Sequence, residues 1–219
     1  MKKQLFSIIA ALMLSTSAFA GSYGIGVSGS VAFVDASGTE TEGTAADTST
    51  RSANVDNIAG VGSIFVEYIA DSRIAYGIEY VPMSADVSDK VHERTDTSSA
   101  GSGEGVTGTN TRKASAEVSD FTTLYVEYPV GNLFLKAGFS QIEVETGENA
   151  LSNGGTYGND TVDGYTIGAG IKSDIGGYYT KAIIEYTDFD DLTLNSSSNN
   201  SITADLDVTQ FKFSIGKTF

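Results

Sequence analysis

The chain has 219 residues, and its 28 acidic against 13 basic side chains give a formal charge of −15, a balance that argues against nucleic acid as a partner. It has no cysteine, which excludes a disulfide framework and any thiolate metal site. Twenty-five glycines, 11 tyrosines and 11 phenylalanines beside two prolines suit strands and turns better than helices. Mean hydropathy is −0.06, and after residue 20 no apolar run is long enough for a spanning helix, so membrane entry would require strands closed into a barrel.

Residues 1–20 have the three parts of a secretory signal peptide. These are a basic start at Lys2 and Lys3, an apolar stretch from Leu5 to Leu14, and the small-residue ending Ala18-Phe19-Ala20. Cleavage is expected between Ala20 and Gly21, and with no cysteine following, lipid attachment at that point is excluded. The apolar stretch falls well short of the roughly 20 residues that a membrane anchor needs. Loss of Lys2 and Lys3 leaves 28 acids against 11 bases, a charge of −17. The expected organisation is a signal peptide at 1–20 and one domain at 21–219.

From Tyr23 the odd positions read Tyr23, Ile25, Val27, Gly29, Val31 and Phe33, while the even ones read Gly24, Gly26, Ser28, Ser30 and Ala32. This period of two has one greasy and one small face. It returns at residues 55–68, 74–83, 118–128, 133–144, 164–172, 178–187 and 208–219. The resulting eight segments are each near the roughly 9–11 residues that a tilted strand needs to cross a bilayer. Short connectors at 69–73, 129–132 and 173–177 alternate with long ones at 36–54, 84–117, 145–163 and 188–207. The expectation is an all-β, eight-stranded, antiparallel up-and-down transmembrane barrel with tight turns at one end and long loops at the other. The 84–117 connector is long enough to extend its flanking strands, or to hide a hairpin that would raise the count to ten. Pro82 predicts a bulge or a strand end.

A local echo repeats as Phe65-Val66-Glu67-Tyr68, Gly77-Ile78-Glu79-Tyr80, Tyr125-Val126-Glu127-Tyr128 and Ile183-Ile184-Glu185-Tyr186, each placing tyrosine outward and glutamate inward. With the greasy face toward lipid, Tyr68, Tyr76, Tyr128, Tyr178 and Phe219 form one aromatic girdle. Phe33, Tyr80, Phe139, Tyr165, Tyr186 and Phe211 form the other. The opposite face collects Glu67, Glu79, Glu127, Lys136, Lys172, Lys181, Glu185 and Lys212 in the lumen. Across the 129–132 turn, Glu127 is expected opposite Phe134 and diagonal to Lys136. The cluster reads as a polar plug, or alternatively as the gate of a narrow channel, and an eight-stranded interior is only just wide enough for side chains. A soluble lipocalin-like barrel would put its apolar side chains inward, but the second face here is too small and too ionic for that.

The ending Phe211-Lys212-Phe213-Ser214-Ile215-Gly216-Lys217-Thr218-Phe219 alternates apolar residues up to a terminal phenylalanine. It resembles the last strand of outer-membrane β-barrels of the OmpA and OmpX type. The resemblance implies an integral protein of a Gram-negative outer membrane, in contact with lipid and lipopolysaccharide. It also implies that Phe219, with Ile215, Phe213 and Phe211, forms the signal read by the barrel-assembly machinery. Lys217 departs from that pattern, which usually has an aromatic or apolar residue there. The likeness covers the barrel alone, without the peptidoglycan-binding domain of OmpA, so wall tethering is not implied.

Some eight-stranded outer-membrane barrels modify lipid A through a rim histidine. The sole histidine here is His92, beside Glu93 and near Ser98 in the long second connector, where a general base would be poorly held. Gly24-Ile25-Gly26 and Gly168-Ala169-Gly170 lack the βαβ setting of a nucleotide fingerprint and read as relief of crowding in the lumen. Asp188, Asp190 and Asp191 fit no calcium-loop spacing. The four long connectors together hold 18 acids and five bases, so the outer surface is expected to be acidic. The reading is a monomeric, non-enzymatic barrel with no cofactor or metal, serving envelope integrity and surface interaction. A gated small-solute channel and a lipid A-modifying enzyme are the alternatives.

Overall fold

The computed structural model describes residues 21–44, 47–87, 92–98, 108–148, 157–196 and 200–219, and the expected signal peptide lies outside them. All regular structure among the described residues is strand. In chain order the strands are β1 (Gly21–Thr44), β2 (Asp47–Ala70), β3 (Ala75–Tyr80), β4 (Ala85–Asp86), β5 (His92–Ser98) and β6 (Gly108–Val130). They continue with β7 (Leu133–Glu148), β8 (Asp160–Ile175), β9 (Tyr178–Phe189), β10 (Leu192–Asn195) and β11 (Ser201–Thr218). Every pairing is antiparallel, and β1 pairs with both β2 and β11, which closes the sheet on itself. Since β3, β4 and β5 all pair with β6, and β9 and β10 with β11, the ring has eight strand positions. The described residues of the 84–117 segment therefore continue the third and fourth positions and add none.

Three tight turns gather at one end. Gly131 has φ +64° between the paired residues Val130 and Leu133, which fits a two-residue turn with glycine first. Gly176 and Gly177 have φ +58° and +85° between Ile175 and Tyr178, as a doubly left-handed hairpin turn requires. The β2–β3 turn closes through Arg73 N–H to the Ala70 carbonyl at 2.7 Å, with Arg73 at φ +66°. At the other end the strands run much further than expected. β1 and β2 stay in register from Gly21↔Ala70 to Thr44↔Asp47, so most of the 36–54 connector is paired strand. Ser and Thr are good strand residues when a partner lies alongside, and the extension adds roughly 35 Å of strand beyond Phe33 at about 3.3 Å per residue.

Pro82 falls just past the end of β3, where Val81 still donates to the Phe121 carbonyl at 2.9 Å. Opposite this break, β6 carries a register shift between Ser119 and Thr122, with Asp120 at φ +54° and its carboxylate accepting from the Tyr80 hydroxyl at 2.8 Å. The bulge flips strand parity, so Val118 and Phe121 both turn toward the same internal apolar cluster.

Candidate functional site in the barrel lumen

The outer surface is apolar over one bilayer's height. On β1, exposed Tyr23, Ile25, Val27, Val31 and Phe33 end at Asp35, and the neighbouring strands change at the same level. Two aromatic bands frame the belt. Tyr23 meets Tyr68 at 5.5 Å near the turns; Phe33 meets Phe211 and Phe139 meets Tyr165, both at 6.0 Å, at the far edge. Above that edge, Asp56, Asp35, Asp207 and Asp188 stand side by side in register across β2, β1, β11 and β9. Desolvation first, and then the negative Asp207 and Asp205, hold the Asp188 carboxyl above the usual carboxylate range.

The interior at membrane level is charged and buried. Strand alternation places Glu67 on β2, Glu79 on β3, Glu127 on β6, Lys136 on β7, Lys172 on β8, Lys181 and Glu185 on β9 and Lys212 on β11, all facing inward. They form two groups. Lys136 lies 3.0 Å from Glu79 and 2.6 Å from Glu185, while Lys212 lies 2.7 Å from Glu79 and 2.8 Å from Glu185. That is a closed ring of alternating charge with no net charge. In the second group Lys181 lies 2.6 Å from Glu67 and 2.7 Å from Glu127, and half-buried Lys172 lies 3.7 Å from Glu67. The second group also sums to zero.

The groups are joined by aromatic side chains that the sequence reading did not single out. Tyr125 donates its hydroxyl to Glu67 at 2.9 Å, and its ring lies 4.3 Å from the Lys136 ammonium. Tyr179, which is fully buried, sits 4.1 Å from Lys172, and the Phe65 ring is 5.1 Å from Lys181. Their signal was present: Phe65, Tyr125 and Phe134 each stand two residues before an inward charge, hence on the same strand face. The inward glycines make room for them. A Cβ at Gly24 or Gly216 would run into Tyr179, and one at Gly77 into Tyr125.

One local expectation is corrected. Glu127 pairs in register with Lys136 directly, and Phe134 faces Pro129. Yet Glu127 gives its two oxygens to Lys181 at 2.8 and 2.7 Å, because the lumen is narrow enough for a long side chain on β9 to reach β6. Contacts through the lumen outrank contacts along the sheet. Above the charges, Thr123, Ser140, Thr166 and Thr187 link hydroxyl to hydroxyl at 2.9, 2.6 and 2.7 Å. Beyond that tier the interior turns apolar, with Ala32, Val34, Ile142, Val144, Val162, Phe189 and Val208 packed together. The second face is therefore not small or ionic along its whole length, contrary to expectation, because the strands continue past the hydroxyl tier and bury a second, apolar core.

The other singled-out residues fall outside this cluster. Phe211, Phe213, Ile215 and Phe219 lie on the exposed outer face of the closing strand, and the Lys217 ammonium sits 5.1 Å from the Phe219 ring. His92 is on β5, paired with Ala114, and not in an open loop. Ser98 is at the other end of β5, about 20 Å away along an extended strand. Among the described residues no group of three or more histidine, aspartate or glutamate side chains is placed to hold a metal ion.

An antiparallel sheet closed on itself, apolar outside over a bilayer's height and ion-paired inside, is the architecture of a transmembrane β-barrel. The chain has the fold of a small barrel of the outer-membrane type. No protein-family model matches the sequence, and no curated protein matches it. Among solved structures, the outer membrane protease OmpT from Escherichia coli is similar at 9% identity and a TM-score of 0.47, with 94% of this chain and 100% of that one covered. Neisserial surface protein A is similar at 9% identity and a TM-score of 0.39, covering 89% and 97%. The attachment invasion locus protein Ail of Yersinia pestis is similar at 9% identity and a TM-score of 0.35, covering 85% and 98%. No activity transfers from any of these.

Proposed function

We propose that this chain is an integral outer-membrane barrel, monomeric and non-enzymatic, that neither conducts solutes nor acts on lipid. Its work is mechanical and superficial: a sealed cylinder anchors an acidic barrel extension above the membrane, supporting envelope integrity and meeting surface partners there. The carrying observation is the double ion-paired plug, whose charges are matched one to one inside the apolar belt. Opening a path would separate buried ion pairs, at about 3–5 kcal/mol for each partner left uncompensated. The gated-channel alternative has to supply that energy several times over.

The acidic row above the outer aromatic band supports contact with a lipopolysaccharide surface through its cations. The exposed outer-face row Phe211, Phe213, Ile215 and Phe219 on the closing strand supports recognition by the barrel-assembly machinery. Planar-bilayer recording is the test. The protein is expected to give no steps above baseline, and Lys136→Met with Glu185→Gln is expected to leave it silent, since aromatic rings still fill the bore. Discrete ohmic steps in the unmodified protein would overturn the reading. Recovery of the folded protein from the soluble periplasmic fraction, in place of heat-modifiable bands in outer-membrane fractions, would do the same for its location.

A further inference from the structure

The apolar interior does not stay packed along its whole length. Just above the layer of Ile142, Phe189 and Val208, the extended strands wall an open-mouthed cavity of about 320 Å³. Val55, Val118, Val144, Leu192, Leu194 and Leu206 line it, and they come from strands all around the ring. Protein interiors are packed like organic crystals, and unfilled apolar volume costs stability in proportion to its size. The same strands close tightly one layer below, so the opening is not imposed by the barrel's radius. An apolar cavity of about 150 Å³ stays dry and takes a benzene-sized guest, so one twice as large fits an apolar guest of roughly ten to fifteen non-hydrogen atoms.

Two further features narrow the guest. The charged side chains on the lining that share the inward parity or the rim are Glu40 and Asp190, both acidic, while Asp205 contributes to the wall between inward Ala204 and Leu206 and turns its carboxylate out beside Asp207; the acidic rim disfavours an anion. Glu40 accepts from the Tyr157 hydroxyl at 3.0 Å, leaving a polar edge on an otherwise apolar cup. The hydroxyl tier and the ion-paired plug lie between the cup and the tight turns, so a guest is held and not passed through. We infer that the end of the barrel opposite the tight turns is a binding cup for one small, uncharged, apolar molecule.

The experiment uses the protein purified from membranes into lipid nanodiscs, with Ile, Leu and Val methyls labelled, and 1-decanol as the probe. Decanol is expected to shift the methyls of Val118, Leu192, Leu194 and Leu206 saturably, at concentrations that leave lipid-facing Leu133, Leu135 and Ile171 unmoved. Decanoate is expected to bind at least about tenfold more weakly, a difference of about 1.4 kcal/mol. Ala204→Phe, folded by gel mobility, should abolish the saturable shifts; if that variant does not fold, Ala36→Leu should weaken them by a similar factor. Cup methyls that stay still while the lipid-facing ones move would overturn the inference. Equal binding of decanoate, or unchanged binding in the filled variants, would also overturn it.

Discussion

Lys181→Met separates a dry plug from a hydrated one. The ammonium is 2% exposed, touches Glu67 and Glu127 at 2.6 to 2.8 Å, and is ringed by Phe65, Tyr125, Phe134 and Tyr179. Methionine fills similar volume but leaves two buried carboxylates without their shared ammonium, and the ion pair that remains to them is the looser one of Lys172 with Glu67 at 3.7 Å. Removing one partner of a buried pair costs about 3–5 kcal/mol, whereas a hydrated surface pair is worth about 0–1 kcal/mol. With a urea slope of about 1–3 kcal/mol per molar, the expected fall in midpoint is about 2 M. The folded fraction is read in lipid vesicles by unheated gel mobility. Exposed Lys217→Met should move the midpoint by less than about 0.5 M. The triple change Lys181→Met, Glu67→Gln, Glu127→Gln should recover most of the loss, since the one charge then left without a carboxylate is Lys172, whose side chain is 23% exposed and so partly hydrated. A midpoint for Lys181→Met within about 0.5 M of the parent would refute the dry, ion-locked lumen.

Two other predictions probe the fit of the bore and the acidic rim. Gly216→Ala puts a methyl into the Tyr179 ring and should lower stability by about 1–3 kcal/mol, with Tyr179→Leu restoring part of it in the double variant; an unchanged midpoint would mean that the ring moves freely. Because the Asp188 pKa is raised on folding, the folded state binds the proton more tightly, so its contribution to stability falls as pH rises above the ordinary value of 3.8. Asp188→Asn should therefore flatten the pH dependence of the unfolding midpoint and raise stability at neutral pH. A steeper profile would contradict the like-charge crowding seen in the Asp56, Asp35, Asp207 and Asp188 row.

Much of the barrel is legible in strand parity. Period-two alternation separates Ile25, Val27 and Val31 from Gly24, Gly26 and Ser28, and in a closed sheet these become lipid side and lumen side. The eight inward charges follow from that parity, and the same rule reaches Tyr125 and Phe65 once the position two before each glutamate is read as inward. Parity fails at the 119–122 bulge, where one extra residue flips the face of everything toward Val118. It also fails to mark where strands stop. Ser, Thr and Gly between 36 and 54 read as loop, yet they remain paired strand because a partner runs beside them for the full hairpin.

The sequence by itself determined the architecture's class, since strands with one apolar and one polar face can satisfy their backbone in a bilayer only in a closed sheet, and it determined which charged residues share the lumen at membrane level. The tertiary structure decided which charge meets which. Glu127 lies opposite Lys136 along the sheet but binds Lys181 across the bore, and that choice depends on the radius and stagger of the closed ring. It also decided where the interior changes from ion-paired to hydroxylated to apolar, and where it opens into a cavity. Those are properties of side chains stacked from eight strands at one height, and no single strand carries them in its own order of residues.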